Sequence, residues 1–115
     1  MSTPFVCHVE WGTKNPAALE KFLAGLFGWQ FQPFAPNYQM YLPSDGSISV
    51  GILQSEHVQA GGTPNVSIRV TDMDAALAKA EALGGKVMVP KTLMGGGSFA
   101  FVAAPDGNLI GLQQM

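Results

Sequence analysis

Apolar and polar residues alternate over Phe5-Val6-Cys7-His8-Val9-Glu10-Trp11, and a period of two marks a strand. Phe5, Cys7, Val9 and Trp11 share one face, and His8 and Glu10 share the other. The apolar face is expected to pack on helices, and the polar face to look into whatever the sheet encloses. The period then lengthens: Leu19, Phe22, Leu23 and Leu26 recur at helical spacing as a core stripe. Asn15 is a good N-cap, Pro16 suits the first helical position, and Gly28 suits the end. These signals predict a helix over Pro16–Phe27. Trp29, Phe31 and Phe34 return to strand spacing, with Pro33 and Pro36 as stops. Strands are expected again at Tyr38–Leu42 and Ile48–Leu53, joined by the turn chemistry of Pro43-Ser44-Asp45-Gly46. Ser55 to Thr63 has no period and reads as a linker, with His57 as a surface residue.

The second half repeats the first. Asn65–Val70 alternates cleanly, with Val66, Ile68 and Val70 on the packing face and Asn65, Ser67 and Arg69 opposite. Asp72 can cap a helix near Asp72–Leu83 whose core stripe is Met73, Leu77, Ala80 and Leu83. Lys86–Val89 is a short strand, and Met94-Gly95-Gly96-Gly97 a flexible loop. Phe99–Ala103 and Leu109–Leu112 flank Ala104-Pro105-Asp106-Gly107-Asn108 as a hairpin. Asp45 and Asp106 are 61 residues apart, Gly51 and Gly111 are 60 apart, and Gly28 and Gly84 are 56 apart. A near-constant offset for elements in the same order indicates a duplication. Each half is strand–helix–strand–strand–strand.

Composition narrows the function classes. The chain has 115 residues, 47% of them apolar, which suits one domain over residues 1–115 with one core. Its six basic residues are scattered and its net charge is −2, against nucleic acid as a partner. No apolar run is long enough for a membrane span, and the first residues lack the pattern of a signal peptide. One cysteine, Cys7, excludes an internal disulfide and points to a cytoplasmic protein. By its face on the first strand, Cys7 reads as a buried small hydrophobe and not as a nucleophile. Gly95-Gly96-Gly97 lacks a following Lys-Ser/Thr and helix, so it is not a phosphate cradle.

Several of these features coincide in one family. They are the polar position of the first strand, Asn15-Pro16-Ala17-Ala18-Leu19 running to Leu26-Phe27-Gly28-Trp29, Val70-Thr71-Asp72-Met73-Asp74-Ala75-Ala76, Leu83-Gly84-Gly85, and Ala104-Pro105-Asp106-Gly107-Asn108. Over nearly all its length the chain resembles the vicinal oxygen chelate superfamily of glyoxalases, bleomycin-resistance proteins and extradiol dioxygenases. The resemblance implies an α+β fold: two paired β-α-β-β-β modules, at about residues 4–54 and 63–115, forming a cup-shaped mixed β-sheet with helices outside. It does not specify a reaction.

Metal enzymes resembling glyoxalase I take His, Gln and Glu ligands from the first, fourth, fifth and eighth strands. Carried onto this chain, those positions fall on His8, on or next to Gly51, on Asn65 and on Gly111. One good donor, even with Glu10 beside it, is too few to hold a divalent ion tightly. No metal and no other cofactor is therefore expected. His8 reads as a hydrogen-bonded pocket or core histidine. The two glycines leave the floor of the expected cup open for a larger ligand, or else mark a bulge or tight strand crossing.

By alternation the cup face carries His8, Glu10, Ser49, Asn65, Ser67, Arg69 and Gln113, with Tyr38, Met40, Phe99 and Phe101 as apolar walls. Mostly apolar walls with a few convergent polar groups suit a small-molecule ligand. Arg69 would favour an anionic or carbonyl-bearing one, unless it is a solvated sheet residue or a partner for Glu10. The expected function is metal-free small-molecule binding. The alternative is a lyase-, isomerase- or dioxygenase-type enzyme with His8 and Glu10 as its catalytic candidates. A third reading is an accessory domain with a vestigial pocket. Charged residues are only 12%, and Phe31, Phe34, Tyr38 and Tyr41 cluster where a sheet edge should lie. An aromatic edge of that kind is expected to be covered in a homodimer, or else to wall the pocket.

Overall fold

Local capping and turn chemistry set the elements. The computed structural model describes residues 3–56 and 64–115, so His57 and most of the expected linker lie outside the described residues. The order is β1 (Phe5–Thr13), α1 (Pro16–Phe27), β2 (Gln32–Ala35), β3 (Tyr38–Tyr41), β4 (Ser49–Gln54), β5 (Asn65–Arg69), α2 (Met73–Ala82), β6 (Lys86–Met94), β7 (Gly97–Ala103) and β8 (Leu109–Gln114). This is the α+β fold of two β-α-β-β-β modules. Asn15 accepts from the Ala18 amide to start α1, and Gly28 ends it at φ 76° with its N–H on the Ala24 carbonyl. Asp72 accepts from the Ala75 amide to start α2, and the Gln114 side chain accepts from Met73 N at 2.6 Å. A residue of β8 thus satisfies one of the helix amides that has no partner inside the helix.

The described residues form two compact units. One runs from His8 to Pro64; the other takes the chain up to Cys7 and then Asn65–Met115. β1 therefore gives Phe5–Cys7 to one unit and His8–Thr13 to the other. Strand pairing is the same in both. β1 runs parallel to β4, and β2, β3 and β4 pair antiparallel in that order. Likewise β5 runs parallel to β8, and β6, β7 and β8 pair antiparallel. The Asp-Gly turns also match. Asp45 Oδ1 accepts from the Ser47 amide at 2.9 Å, and Asp106 Oδ1 from the Asn108 amide at 3.0 Å. The Ser47 side chain and then its amide hold the Asp45 carboxyl below the usual aspartate range, and the Asn108 amide and then its side chain do the same for Asp106.

Each core lies on the helix side of its sheet. Met73, Ala100, Val102 and Leu112 are buried together, with Ile68, Val70, Ala76, Leu77, Ala80, Val87 and Ile110 packed around them. In the other unit Leu23, Val50 and Ile52 are buried, and α1 packs on β4. The helix stripes are narrower than expected. Phe22 and Leu26 are 63% and 60% exposed, and Leu83 is exposed too. Leu23 alone of α1 is buried, because a six-residue strand covers one side of a helix whose apolar residues span a wider arc.

Three strand boundaries differ from expectation for identifiable reasons. Pro33 lies inside β2 and Pro90 inside β6. Both strands are outermost in their units, where a residue without an N–H costs no ladder bond. β6 is also longer than its sequence suggested, with register shifts between Val87 and Val89 and between Val89 and Thr92. Trp29 is not in β2: it stacks on Tyr41 with centroids 4.9 Å apart and on Phe27 at 4.8 Å. The glycine stretch expected as a flexible loop is a tight hairpin turn. Met94 pairs with Gly97 across Gly95 and Gly96, whose φ values of 43° and 88° suit a two-residue turn.

Truncating a fully buried side chain in either unit should be costly. Ile52→Ala and Met73→Ala are each expected to lower unfolding stability by about 2–5 kcal/mol. Leu93→Ala, at an 80% exposed position, should change it by less than about 0.5 kcal/mol. Urea unfolding followed by circular dichroism measures all three; equal losses at Leu93 and Met73 would contradict the assigned core.

Candidate functional site

Parallel pairing of β1 with β4 sets His8 opposite Ser49 and Glu10 opposite Gly51. Antiparallel pairing sets Met40 opposite Gly51 and Tyr38 opposite Leu53. His8 is 4% exposed. Its Nδ1 lies 2.6 Å from Ser49 Oγ and its Nε2 lies 2.8 Å from the Tyr38 hydroxyl. A neutral imidazole has one donor and one acceptor nitrogen, and two hydroxyls serve either tautomer. Burial pushes the His8 pKa down, against the pull of Glu10, so the ring is neutral at neutral pH. Burial, and then the charge and hydrogen bonding of Glu10, holds the Tyr38 phenol protonated far above its ordinary range.

Gly51 makes this arrangement possible. A Cβ at residue 51 would fall on the Tyr38 hydroxyl and within 2.9 Å of His8 Nε2. Gly111 has the same place in the other unit. It pairs with Ser67 and Phe101, and a Cβ there would fall on Ser67 Oγ with Phe101 Cε1 at 3.2 Å. The expectation of an open floor at the two glycines is therefore corrected. Neighbouring side chains fill both positions.

The other unit presents two cross-strand rows. Arg69 pairs with Gln113 and Gln113 with Phe99; Ser67 pairs with Gly111 and Gly111 with Phe101. Residues directly opposite in a ladder project from the same face, so these six positions share one. Asn65, half-buried at the start of β5, falls on that face by alternation. Phe5 and Cys7 do not pack under a helix as expected. The Phe5 ring lies 5.7 Å from the Arg69 guanidinium, and the Cys7 thiol donates to the Ser67 carbonyl at 3.6 Å and to Gln113 Oε1 at 3.5 Å. Cys7 is buried, but among polar groups. Burial pushes its thiol pKa up, with Arg69 opposing, so it stays protonated. Sequence reasoning placed His8, Glu10, Tyr38, Asn65, Ser67, Arg69, Gln113 and Phe101 on one cup face; the first three lie together in one unit, and the other five lie in the other unit. It missed Phe5 and Cys7, whose apolar character hid their polar neighbours.

The residues at the family's ligand positions do not fit a metal. Both His8 nitrogens already have partners within the chain, residues 51 and 111 have no side chain, and Asn65 offers a weak amide. Among the described residues no three His, Cys, Asp or Glu side chains converge on a common point.

The sequence profile of a family described as a glyoxalase-like domain matches residues 7–112. The chain belongs to that family. A protein of Mycobacterium tuberculosis named "Putative glyoxylase CFP32" is 32% identical over 120 residues, covering 92% of this chain. The chain spans 44% of the length of that relative. Two solved structures share the fold. A Mn(II)-bound glyoxalase from Novosphingobium aromaticivorans has a TM-score of 0.73 at 21% identity, over 95% of this chain and 38% of its own. A glyoxalase/bleomycin resistance protein/dioxygenase superfamily member from Vibrio splendidus has a TM-score of 0.71 at 14% identity, over 98% of this chain and 100% of its own. No described helix of this glyoxalase-like chain is long and apolar enough to cross a membrane.

The contact between Gly51 and Tyr38 is testable by a double-mutant cycle. Gly51→Ala should destabilise the wild-type chain because its Cβ displaces the Tyr38 hydroxyl. In a Tyr38→Leu background it should cost less, with a coupling of about 0.5–3 kcal/mol. Additive losses in thermal or urea unfolding would mean that Tyr38 does not occupy this space.

Proposed function

We propose that this glyoxalase-like domain is a metal-free small-molecule binding protein that holds its ligand by direct side-chain contacts. The observation that carries this reading is the closed state of His8. Ser49 and Tyr38 occupy both nitrogens of the residue that would otherwise be the one good metal donor. What remains for a ligand is the row of polar side chains Ser67, Arg69 and Gln113 with Phe99 and Phe101 beside them. Polar groups at the edge of an apolar wall are the usual furniture of such a site. A buried cysteine thiol that is in no disulfide suits a reducing compartment, and we place the protein in the cytoplasm on that ground.

An enzymatic reading draws its support from the name of the mycobacterial relative, and its acid–base groups would be His8 and Glu10. Both sit in one unit, and the neutral His8 could exchange a proton only by releasing Ser49 or Tyr38. That makes it the weaker reading.

Two measurements test the binding reading. Elemental analysis of protein grown in unsupplemented medium should find well below one equivalent of Ni, Zn, Fe or Mn per chain. Native mass spectrometry should show a small organic molecule retained by the chain. About one tightly held transition metal, lost on His8→Ala, would overturn the proposal.

We further propose that the protein is a homodimer. Phe22, Leu26 and Phe27 on α1, with Phe34 and Leu42, are exposed large apolar side chains in one unit. With charged residues at 12%, such a surface favours a second copy over water. The buried area should exceed about 1,000 Å². Light scattering at micromolar concentration should give twice the 12.1 kDa chain mass, and Phe22→Glu should shift it towards one chain. A single-chain mass that does not change on concentration rejects the dimer.

A further inference from the structure

The Arg69 side chain is a cation with an unanswered donor. Its Nε is buried and has no hydrogen-bond acceptor. Arginine remains protonated in proteins, so the charge cannot be shed to avoid the cost. The ion pair found among the described residues joins Lys91 to Asp74, and no carboxylate there pairs with Arg69. A buried orphan donor is rare in folded proteins. Within the chain the group beside the guanidinium is the Cys7 sulfur, a weak acceptor, and the half-buried remainder of the guanidinium can take a stronger one from outside the chain.

The neighbours of Arg69 define what that acceptor can be. The guanidinium carbon lies over the Phe5 ring, 5.7 Å from its centre, an apolar neighbour that accepts no conventional hydrogen bond from the guanidinium N–H groups. Gln113 stands directly opposite Arg69 in the β5–β8 ladder. Its Oε1 accepts from the Cys7 thiol, which leaves the amide NH2 as the donor beside Arg69. The protonated Cys7 supplies no counter-charge. One full positive charge and one neutral donor match a monoanion better than a dianion such as phosphate.

The next strand is apolar. Phe99 is opposite Gln113 and Phe101 is opposite Gly111, their rings 6.2 Å apart and near perpendicular. From Arg69 to Phe99 is two strand spacings, about 10 Å. A charged head at one end of the row and phenyl rings at the other describe an amphiphilic acid.

We infer that the face formed by Arg69, Gln113, Phe99 and Phe101 binds an apolar carboxylic acid, its carboxylate on the Arg69 guanidinium and the Gln113 amide and its tail along the two phenyl rings. This rests on the reading of the chain as a small-molecule binder and names the chemical class of the ligand.

Isothermal titration of the full chain with octanoate and 4-phenylbutanoate, against octanamide and 4-phenylbutanamide, tests it. The acids should bind at least tenfold more tightly than their amides. Arg69→Gln should remove that preference, with acid affinity falling at least tenfold and amide affinity falling much less. Arg69→Lys, which keeps the charge without the fork, should retain part of it and guards against a folding defect in the first variant. Phe99→Ala should weaken acids and amides alike. Equal binding of acids and amides, or no effect of Arg69→Gln, overturns the carboxylate assignment while the binding reading stands. Inorganic phosphate that binds as tightly as octanoate overturns the amphiphilic class and leaves a simple anion site. Binding of none of the four probes at millimolar concentration overturns the inference as well. The binding reading is then decided separately, by the small molecule that native mass spectrometry finds or fails to find on the chain.

Discussion

A strand position without a side chain must be filled by its neighbours or left as a void, and protein interiors tolerate few voids. Gly51 and Gly111 pose that problem at matching places in the two units, where the module's fourth strand runs parallel to its first. The two solutions differ. In one unit Tyr38 reaches over Gly51 to place its hydroxyl on His8. In the other, Ser67 and Phe101 lean over Gly111. The first solution ties up an imidazole and two hydroxyls in mutual hydrogen bonds. The second is compact and leaves Arg69 and Gln113, one pair further along the ladder, with donor capacity to spare. The chemistry of each unit follows from how its glycine is covered.

Electrostatics separate the units further. With 6 basic and 8 acidic residues in 115, few charges are available to neutralise one another. His8 meets burial by staying neutral, and its two hydroxyl partners make the neutral ring inexpensive to keep. Arg69 has no neutral state to retreat to. Arg69 is half-buried, and the Phe5 ring offers its charge partial compensation through its quadrupole. Arginine keeps its charge in such a setting, where a lysine could lose its proton.

Local rules made much of the fold legible. Asn15 and Asp72 cap the helices, and Asp45-Gly46 and Asp106-Gly107 turn the chain, because each needs only residues two or three apart. The alternation of β5 placed Ile68 and Val70 against α2 for the same reason. What was illegible depends on who the neighbours are. Pro33 and Pro90 look like strand breakers until their strands prove to be outermost. Phe22 and Leu26 look like core until the strand beneath α1 proves too narrow to cover them.

The site was half legible for a related reason. Alternation gave the face on which Ser67, Arg69 and Gln113 stand, but not the register that sets Arg69 opposite Gln113 and Ser67 opposite Gly111. A shift of one residue in that register would have put Gln113 on the helix side and sent Leu112 to meet Arg69. Cys7 shows the same limit from the other side. Its residue type and strand phase both point to hydrophobic packing, yet its thiol meets a backbone carbonyl and an amide. A small side chain with a weak donor can serve in either setting, so its role is decided by what the ladder brings to it. Here the ladder brings Gln113, and by holding the carbonyl end of that amide Cys7 leaves its NH2 end as the donor.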